Sequence, residues 1–171
     1  MKRRLLIGLG AVVVLLAGYT VFTIVRPTVL HTEVEIDASP DQVWKALTDR
    51  ANYPAWNPFI VSSTGDLTVG ATITNVLRDT NGQETTFTPE LLAVEPGREL
   101  RWIGKIGFGG IFDGEHTFRI EALPGGRSKL VQEETFRGAA VPFTTGMLRD
   151  TIEPQFHAMN AAIAEQAEQT S

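Results

Sequence analysis

The alternation of apolar and polar side chains predicts a β-rich domain that follows a long uncharged N-terminal run. Residues 31–37 place apolar and acidic side chains at alternate positions, the period-two pattern of a half-buried strand. Ser39 and Pro40 then supply a helix N-cap and a proline at the first helical position. A short helix is therefore expected from there to the neighbourhood of Asp49.

Between residues 60 and 138, apolar runs are separated by turn sequences, which predicts a meander of antiparallel strands. The turns are Thr64-Gly65-Asp66, Asn81-Gly82, Glu95-Pro96-Gly97 and Pro124-Gly125-Gly126. A cluster of glycines near Trp102 predicts a sharp bend or bulge of the sheet. Its members are Gly104, Gly107, Gly109 and Gly110. The stretch Gly107-Phe108-Gly109-Gly110 lacks the lysine and hydroxyl residue of a phosphate-binding loop.

Apolar side chains at steps of mostly three and four predict a long final helix. The stripe comprises Phe143, Met147, Leu148, Ile152, Phe156, Met159 and Ile163. Pro154 lies inside the stripe and removes one backbone hydrogen bond. We expect a kink there rather than an end, because the stripe continues beyond it.

The N-terminal run predicts a membrane anchor over residues 1–27, ahead of a single domain over residues 28–171. Residues 5–25 are 21 uncharged, mostly apolar residues, enough helix to cross a bilayer core of roughly 30 Å. A cleaved signal peptide is the alternative, although its apolar region is usually shorter. Three basic residues before the run against one after it favour a cytoplasmic N-terminus. We thus expect a single-pass protein of the cell membrane with an extracytoplasmic domain.

Length and composition exclude several classes of protein. The chain has 171 residues, room for one ordinary domain. It has no cysteine, which excludes disulfide scaffolds, cysteine-ligated metals and a cysteine nucleophile. The net charge is −5, and all four bases of residues 1–27 lie outside the domain, which is therefore more acidic still. A nucleic-acid partner is not expected, because phosphate binding needs clustered bases.

Two polar residues interrupt apolar strand faces in the last predicted hairpin. His116 shares a face with Phe112 and Phe118, and Glu134 shares one with Leu130 and other apolar residues. A hairpin that turns around Gly125 places His116 directly opposite Glu134. The pair is a satisfied polar contact in the core, a ligand-orienting pair or a catalytic pair. The sequence leaves these three alternatives open, and His116 and Glu134 are the candidate catalytic residues.

The remaining chemistry of the chain suggests no metal and no cofactor. The three histidines lack metal-ligand spacing, and no serine lies in the Gly-x-Ser-x-Gly pattern of hydrolases. A curled sheet that grips one long helix tends to leave an apolar cavity, which is the default ligand site. The candidate ligand-binding residues are Trp56, Trp102, Phe112, His116, Phe118, Glu134, Phe136, Met147 and Phe156.

The chain resembles the START-like superfamily, also called SRPBCC, which has the helix-grip fold of Bet v 1. The resemblance is carried by Ala38-Ser39-Pro40-Asp41-Gln42-Val43-Trp44, Leu47-Thr48-Asp49, Tyr53-Pro54-Ala55-Trp56-Asn57-Pro58-Phe59, Gly114-Glu115-His116-Thr117-Phe118 and Glu134-Thr135-Phe136-Arg137-Gly138. It is similar to the polyketide cyclase/dehydrase and lipid-transport group. That resemblance implies an α+β fold, with a curved seven-stranded antiparallel sheet wrapped around the C-terminal helix.

The same resemblance implies a pocket for lipids, sterols or polyketides. The first functional hypothesis is a membrane-anchored module that binds a hydrophobic ligand, lipid or polyketide-like, in an internal cavity. The second is a cyclase, dehydratase or isomerase in which Glu134 or His116 takes a proton beside a carbonyl. The third is an interaction domain that assists assembly of a membrane complex, with a protein partner that the sequence does not identify.

Overall fold

The computed structural model describes the backbone of residues 2–169 and the side chains of residues 7, 8, 10–23 and 25–169. The outer ends of the two predicted segments lie outside the described residues; they are Met1, Thr170 and Ser171. The first half of the chain forms α1 (Lys2–Val25), β1 (Thr28–Ile36), α2 (Pro40–Thr48), a 3₁₀ turn (Arg50–Asn52), α3 (Tyr53–Trp56), β2 (Ile60–Thr64), β3 (Thr74–Arg78) and β4 (Glu84–Phe87).

The second half contains the longer strands and the final helices. It forms β5 (Glu90–Glu95), β6 (Glu99–Ile106), β7 (Phe112–Leu123), β8 (Arg127–Arg137), α4 (Val141–Met147), a π-helical turn (Leu148–Ile152) and α5 (Glu153–Gln169). All four predicted turns join antiparallel strands, as expected. The predicted first helix is confirmed as α2, where Ser39 and Gln42 form a reciprocal capping box.

The strands form two sheets, so the expectation of one seven-stranded sheet is wrong. A five-stranded antiparallel sheet has the order β1-β8-β7-β6-β5, and a three-stranded sheet has the order β2-β3-β4. Pro89 lies between β4 and β5, and it has no N–H with which to continue a ladder. The isolated bridge between Thr72 and Glu90 links the two sheets. The helix-grip α+β architecture itself is confirmed.

Helix α5 packs against β1 and β8 of the larger sheet and supplies much of the core. Phe156, Met159 and Ile163 are fully buried on this helix. Asn160 donates a hydrogen bond of 2.9 Å to the hydroxyl of Thr32 on β1, so a buried polar contact ties the helix to the sheet edge. Helix α2 lies beside α5 and buries Leu47 in the same cluster.

Pro154 is accommodated by a widened turn immediately before it. The N–H of Glu153 donates to the carbonyl oxygen of Leu148, five residues earlier, and the helical run continues to Gln169. The expected continuation through Pro154 is therefore confirmed, although the irregularity begins several residues earlier than expected.

The predicted apolar stripe is wrong at its beginning. Helix α4 buries Val141, and the π-helical turn that continues it buries Leu148, seven residues on and on the same face. Phe143 lies two residues from Val141, about 200° around the helix, and its side chain is 82% exposed. Met147 lies on the same outward side and is 51% exposed.

The N-terminal run forms α1, and the end of this helix contacts the domain. The hydroxyl of Tyr19 donates a hydrogen bond of 2.7 Å to the carbonyl oxygen of Ala139, and Thr23 is buried. Within the described part of the chain, no helix has the combination of length and apolar character needed to cross a membrane. The predicted membrane-spanning helix is thus not confirmed.

Gly104 serves packing rather than a bend. Strand β6 passes through Gly104 in regular register, opposite Gly114 of β7. A Cβ atom at Gly104 would lie 1.7 Å from the ring of Phe87, because this ring occupies the space over the glycine. The predicted bend is instead at the β6–β7 loop, where Gly107 and Gly110 have positive φ angles of 76° and 87°.

We expect Gly104→Ala to destabilise the fold by about 1–3 kcal/mol, because the new methyl group overpacks against Phe87. Urea unfolding followed by tryptophan fluorescence measures the change. Gly109→Ala is the matched control, since its nearest neighbours lie 3.9 Å from the added Cβ. Placing Gly104→Ala in a Phe87→Ala background should remove most of the cost. Equal costs in both backgrounds would contradict this account.

Candidate functional site

A cavity of about 510 Å³ lies between the smaller sheet, the larger sheet and the π-helical turn. Most of its wall is apolar. The lining residues are Phe59, Leu77, Thr85, Thr86, Phe87, Thr88, Lys105, Ile106, Gly107, Phe112, Glu134, Phe136, Met147, Leu148 and Ile152. Glu134 and Lys105 are the only ionisable side chains in this set.

The predicted pairing of His116 with Glu134 is confirmed by the register of β7 and β8. His116 Nδ1 lies 3.3 Å from Glu134 Oε2. The imidazole stacks on Trp102 with ring centroids 4.7 Å apart and 12° between the planes, and it meets Phe156 edge-on at 5.0 Å. The His116 side chain is 4% exposed and that of Glu134 is 13% exposed. The carboxylate is therefore the more accessible member of the pair.

Gln132 fixes the other side of the imidazole. Its amide nitrogen lies 3.2 Å from His116 Nε2 and 4.0 Å from the sulfur of Met159. With the amide in this orientation its nitrogen donates, so Nε2 is the acceptor and Nδ1 carries the hydrogen that points to Glu134, while the buried Oε1 of Gln132 has no hydrogen-bond partner among the described residues. Gln132 therefore acts as a positioning residue for the pair.

Glu134 faces two cavities because Gly114 leaves it room. A Cβ atom at Gly114 would lie 2.6 Å from Glu134 Oε1. A second cavity of about 30 Å³, large enough for a water molecule, lies deeper and is also lined by Trp102, His116 and Asn75. The buried Oδ1 atom of Asn75 has no hydrogen-bond partner in the protein, so an acceptor is available beside this space.

The nine candidate ligand-binding residues fall in different places. Those that line the 510 Å³ cavity are Phe112, Glu134, Phe136 and Met147. Trp102 and His116 join Glu134 around the smaller cavity, whereas Phe118 and Phe156 are packed in the core and line neither. The role of all nine residues in ligand binding stays a prediction.

Trp56 lies apart from both cavities. Its ring packs edge-on against Tyr53 at 5.1 Å, and it borders a separate surface depression beside Lys45. Tyr53 is buried and donates a hydrogen bond to the carbonyl oxygen of Leu47, and burial raises the pKa of its hydroxyl well above the usual value. This aromatic turn closes one end of the core.

Several residues of the cavity walls were not among those predicted from the sequence. Asn75 is a polar side chain on the same strand face as Ile73 and Leu77, the type of interruption that identified His116 and Glu134. Strand parity applied to β3 would have found it. Phe87 had no comparable signal, because its position over Gly104 depends on how the two sheets meet.

The sheet, the gripped helix and the apolar cavity with one accessible carboxylate define a helix-grip protein with an internal ligand-sized space. Residues 27–168 match the family described as polyketide cyclase / dehydrase and lipid transport. The chain therefore belongs to this family, within the SRPBCC superfamily. No curated protein matches the sequence closely enough to count as a relative.

Solved structures with low sequence identity share the fold. The ZhuI aromatase/cyclase from a Streptomyces species has a TM-score of 0.68 at 18% identity, over 84% of this chain and 95% of that chain. Ara h 8.0201 has a TM-score of 0.64 at 16% identity, over 84% of this chain and 99% of that chain. The di-domain ARO/CYC StfQ of the steffimycin pathway has a TM-score of 0.66 at 13% identity, over 84% of this chain and 52% of that chain. These likenesses establish the fold alone.

We expect the hydrogen of the neutral His116 ring to be on Nδ1, because Gln132 donates to Nε2. The imidazole ¹⁵N shifts at neutral pH measure this directly: Nδ1 should be of the pyrrole type and Nε2 of the pyridine type. In Gln132→Glu, the new carboxylate accepts a hydrogen bond, so Nε2 should gain a hydrogen. A wild-type ring with hydrogen on Nε2 alone would contradict the assignment.

Proposed function

We propose that the protein binds a hydrophobic small molecule, lipid or polyketide-like, in the 510 Å³ cavity, with a polar group of the ligand directed to Glu134. The observation that carries this proposal is a single accessible carboxylate in a largely apolar wall. The volume lies within the range of about 300–1,000 Å³ typical of small-molecule sites. Contact with the apolar wall contributes most of the binding free energy of the ligand, and a hydrogen bond to the carboxylate determines how the ligand is oriented.

The geometry around Glu134 favours a ligand that donates a hydrogen bond. Oε2 faces His116, whereas Oε1 lies over Gly114, where there is no side chain. A carboxylate accepts hydrogen bonds, so a ligand hydroxyl is a suitable partner for it. The protein is thus expected to prefer hydroxylated hydrophobic compounds to pure hydrocarbons of the same shape.

A matched pair of fluorescent probes, 2-hydroxyanthracene and anthracene, tests this preference on the full chain in mild detergent. We expect the hydroxylated probe to bind about ten- to hundredfold more tightly, since a hydrogen bond to a charged group contributes about 1.5–3 kcal/mol. In Glu134→Gln, this difference should shrink to less than about threefold. Glu133→Gln is the control, because Glu133 lies next in the strand and points to His31 on the outer face.

Failure of both probes to bind, or an equal effect of Glu134→Gln and Glu133→Gln, would contradict the proposal. Mass spectrometry of organic extracts, compared with a mock purification, provides an independent readout. A hydrophobic compound present in near-stoichiometric amount would support binding and would identify the natural ligand class.

The second candidate function is a cyclase- or dehydratase-type enzyme, favoured by the contact between the Glu134 carboxylate and His116. In a dehydration, Glu134 would take a proton from the carbon beside a substrate carbonyl and return it to the leaving hydroxyl, which departs as water. The names of two structural neighbours include aromatase/cyclase activity. The enzyme hypothesis expects Glu134→Gln to remove turnover of a bound substrate while binding persists, and unchanged turnover would exclude it.

Attachment to the cell membrane through α1 is a further part of the proposal. Support comes from the uncharged run of residues 5–25 and from exposed apolar side chains such as Val14, Leu15 and Leu16. The basic residues before this run favour a cytoplasmic N-terminus and an extracytoplasmic domain.

We expect Val14→Lys combined with Leu16→Lys to release the protein from membranes, since a lysine near the centre of a membrane helix costs about 2.5–3.5 kcal/mol. The measurement is the fraction of full-length protein that sediments with membranes after an alkaline wash. Val69→Lys, at an exposed apolar residue of the domain, is the control. Wild-type protein that washes off as readily as the double variant would overturn the attachment.

A further inference from the structure

Five large apolar side chains are exposed around the mouth of the cavity, and we call this set the apolar rim. Its members are Ile106, Phe108, Ile111, Phe143 and Met147, with exposures of 62%, 83%, 43%, 82% and 51%. Large exposed apolar groups on one side of a domain indicate an interaction surface. The two phenylalanines are the most exposed of the set.

The rim is a fixed surface, because backbone hydrogen bonds join its two halves. The N–H of Ala139 donates to the Gly110 carbonyl at 2.9 Å, and the N–H of Ala140 donates to the Ile111 carbonyl at 2.9 Å. Gly138 allows this close approach, since a Cβ there would lie 2.4 Å from the Ile111 oxygen. The β6–β7 loop and the start of α4 are thus held side by side.

The rim is continuous with the cavity. Ile106 and Met147 are exposed members of the rim and also line the 510 Å³ cavity. Phe143 and Met147 are four residues apart on α4 and therefore lie on one helix face. A ligand that leaves or enters the cavity here passes the exposed rim.

We infer that the apolar rim docks on a lipid bilayer, so that the cavity opens toward the membrane; as a route for the ligand, this inference rests on the proposed function. The end of α1 lies against the same surface, through the bond from Tyr19 to Ala139, and its neighbours Val21 and Phe22 are exposed. A bilayer is one continuous apolar phase that covers both the helix and the rim.

The charge at the rim agrees with a lipid surface. Lys105 lines the mouth and is exposed, and among the described residues it forms no ion pair. Asp113 lies directly opposite it on β7, where its Oδ2 accepts a hydrogen bond of 2.7 Å from the N–H of Gly110. A lysine beside inserted aromatic residues is suited to phospholipid headgroups, where the ammonium group remains hydrated and meets phosphate.

Site-specific fluorescence tests the docking on the full chain, which has no native cysteine. Gly109→Cys places a label in the rim loop, and Ala122→Cys places one near the far end of β7, about 33 Å along the strand from Phe112. Each is labelled with a nitrobenzoxadiazole dye and reconstituted with phosphatidylcholine and phosphatidylglycerol vesicles that carry brominated acyl chains. We expect severalfold stronger quenching at position 109 than at position 122.

Phe108→Ser combined with Phe143→Ser should abolish the additional quenching at position 109, whereas Val69→Ser, an exposed apolar control outside the rim, should leave it unchanged. Equal quenching at the two labels would overturn the inference. A label at position 109 that is shielded in a dimer without lipid quenching would overturn it in favour of a second copy of the chain.

Binding of 2-hydroxyanthracene in detergent separates this inference from the proposed function. The rim double variant should bind the probe as the wild type does, because neither phenylalanine lines the cavity. Probe binding without rim quenching would refute the docking alone. Rim quenching without probe binding would refute the proposed function and leave the docking in place.

Discussion

The site depends on the register of β7 against its two neighbours in the larger sheet. Trp102, His116 and Glu134 lie in one row across β6, β7 and β8, and each is directly opposite the next. A slip of one residue would turn His116 to the outer face and leave Glu134 opposite a different residue. The positive φ angles of Gly125 and Gly126 fix the turn of this hairpin, so the local turn geometry determines the chemistry of the cavity wall.

The row of Trp102, His116 and Glu134 also shows how an ionisable side chain can be buried next to apolar side chains. His116 is enclosed by aromatic rings, and its two nitrogens meet Gln132 and Glu134. Burial without such partners would cost several kcal/mol, on the order of 2–7 for an unpaired polar group. The same contacts orient the carboxylate toward the cavity. A binding protein and a proton-transferring enzyme both need a carboxylate held in this orientation. The two functions therefore differ in the chemistry of the ligand more than in the geometry of the site.

The elements that were predictable from sequence are those fixed by local rules. Period-two alternation and one turn were sufficient to pair His116 with Glu134, and the capping sequence at Ser39 located α2. Features that depend on packing between residues far apart in the sequence could not be predicted from it. The position of Phe87 over Gly104 and the separation of the sheets at Pro89 arise where remote segments meet. Phe143 is exposed because α4 turns a different face toward the core. The spacing of apolar residues in the sequence did not specify which face that is.

The separation of the two sheets has a dynamic consequence. Strand β4 pairs with β3 alone, and within residues 2–169 no ladder joins it to the larger sheet. The smaller sheet is tied to β5 near Pro89, where the N–H of Ile73 donates to the carbonyl oxygen of Pro89 and the N–H of Leu91 donates to that of Ala71. An outward movement of the smaller sheet would have to carry all three of its strands, because β3 is also paired with β2, and it would break the contact of Phe87 with Gly104. The wall on this side is therefore held against the larger sheet by side-chain packing and by the backbone bonds near Pro89, and not by a strand ladder.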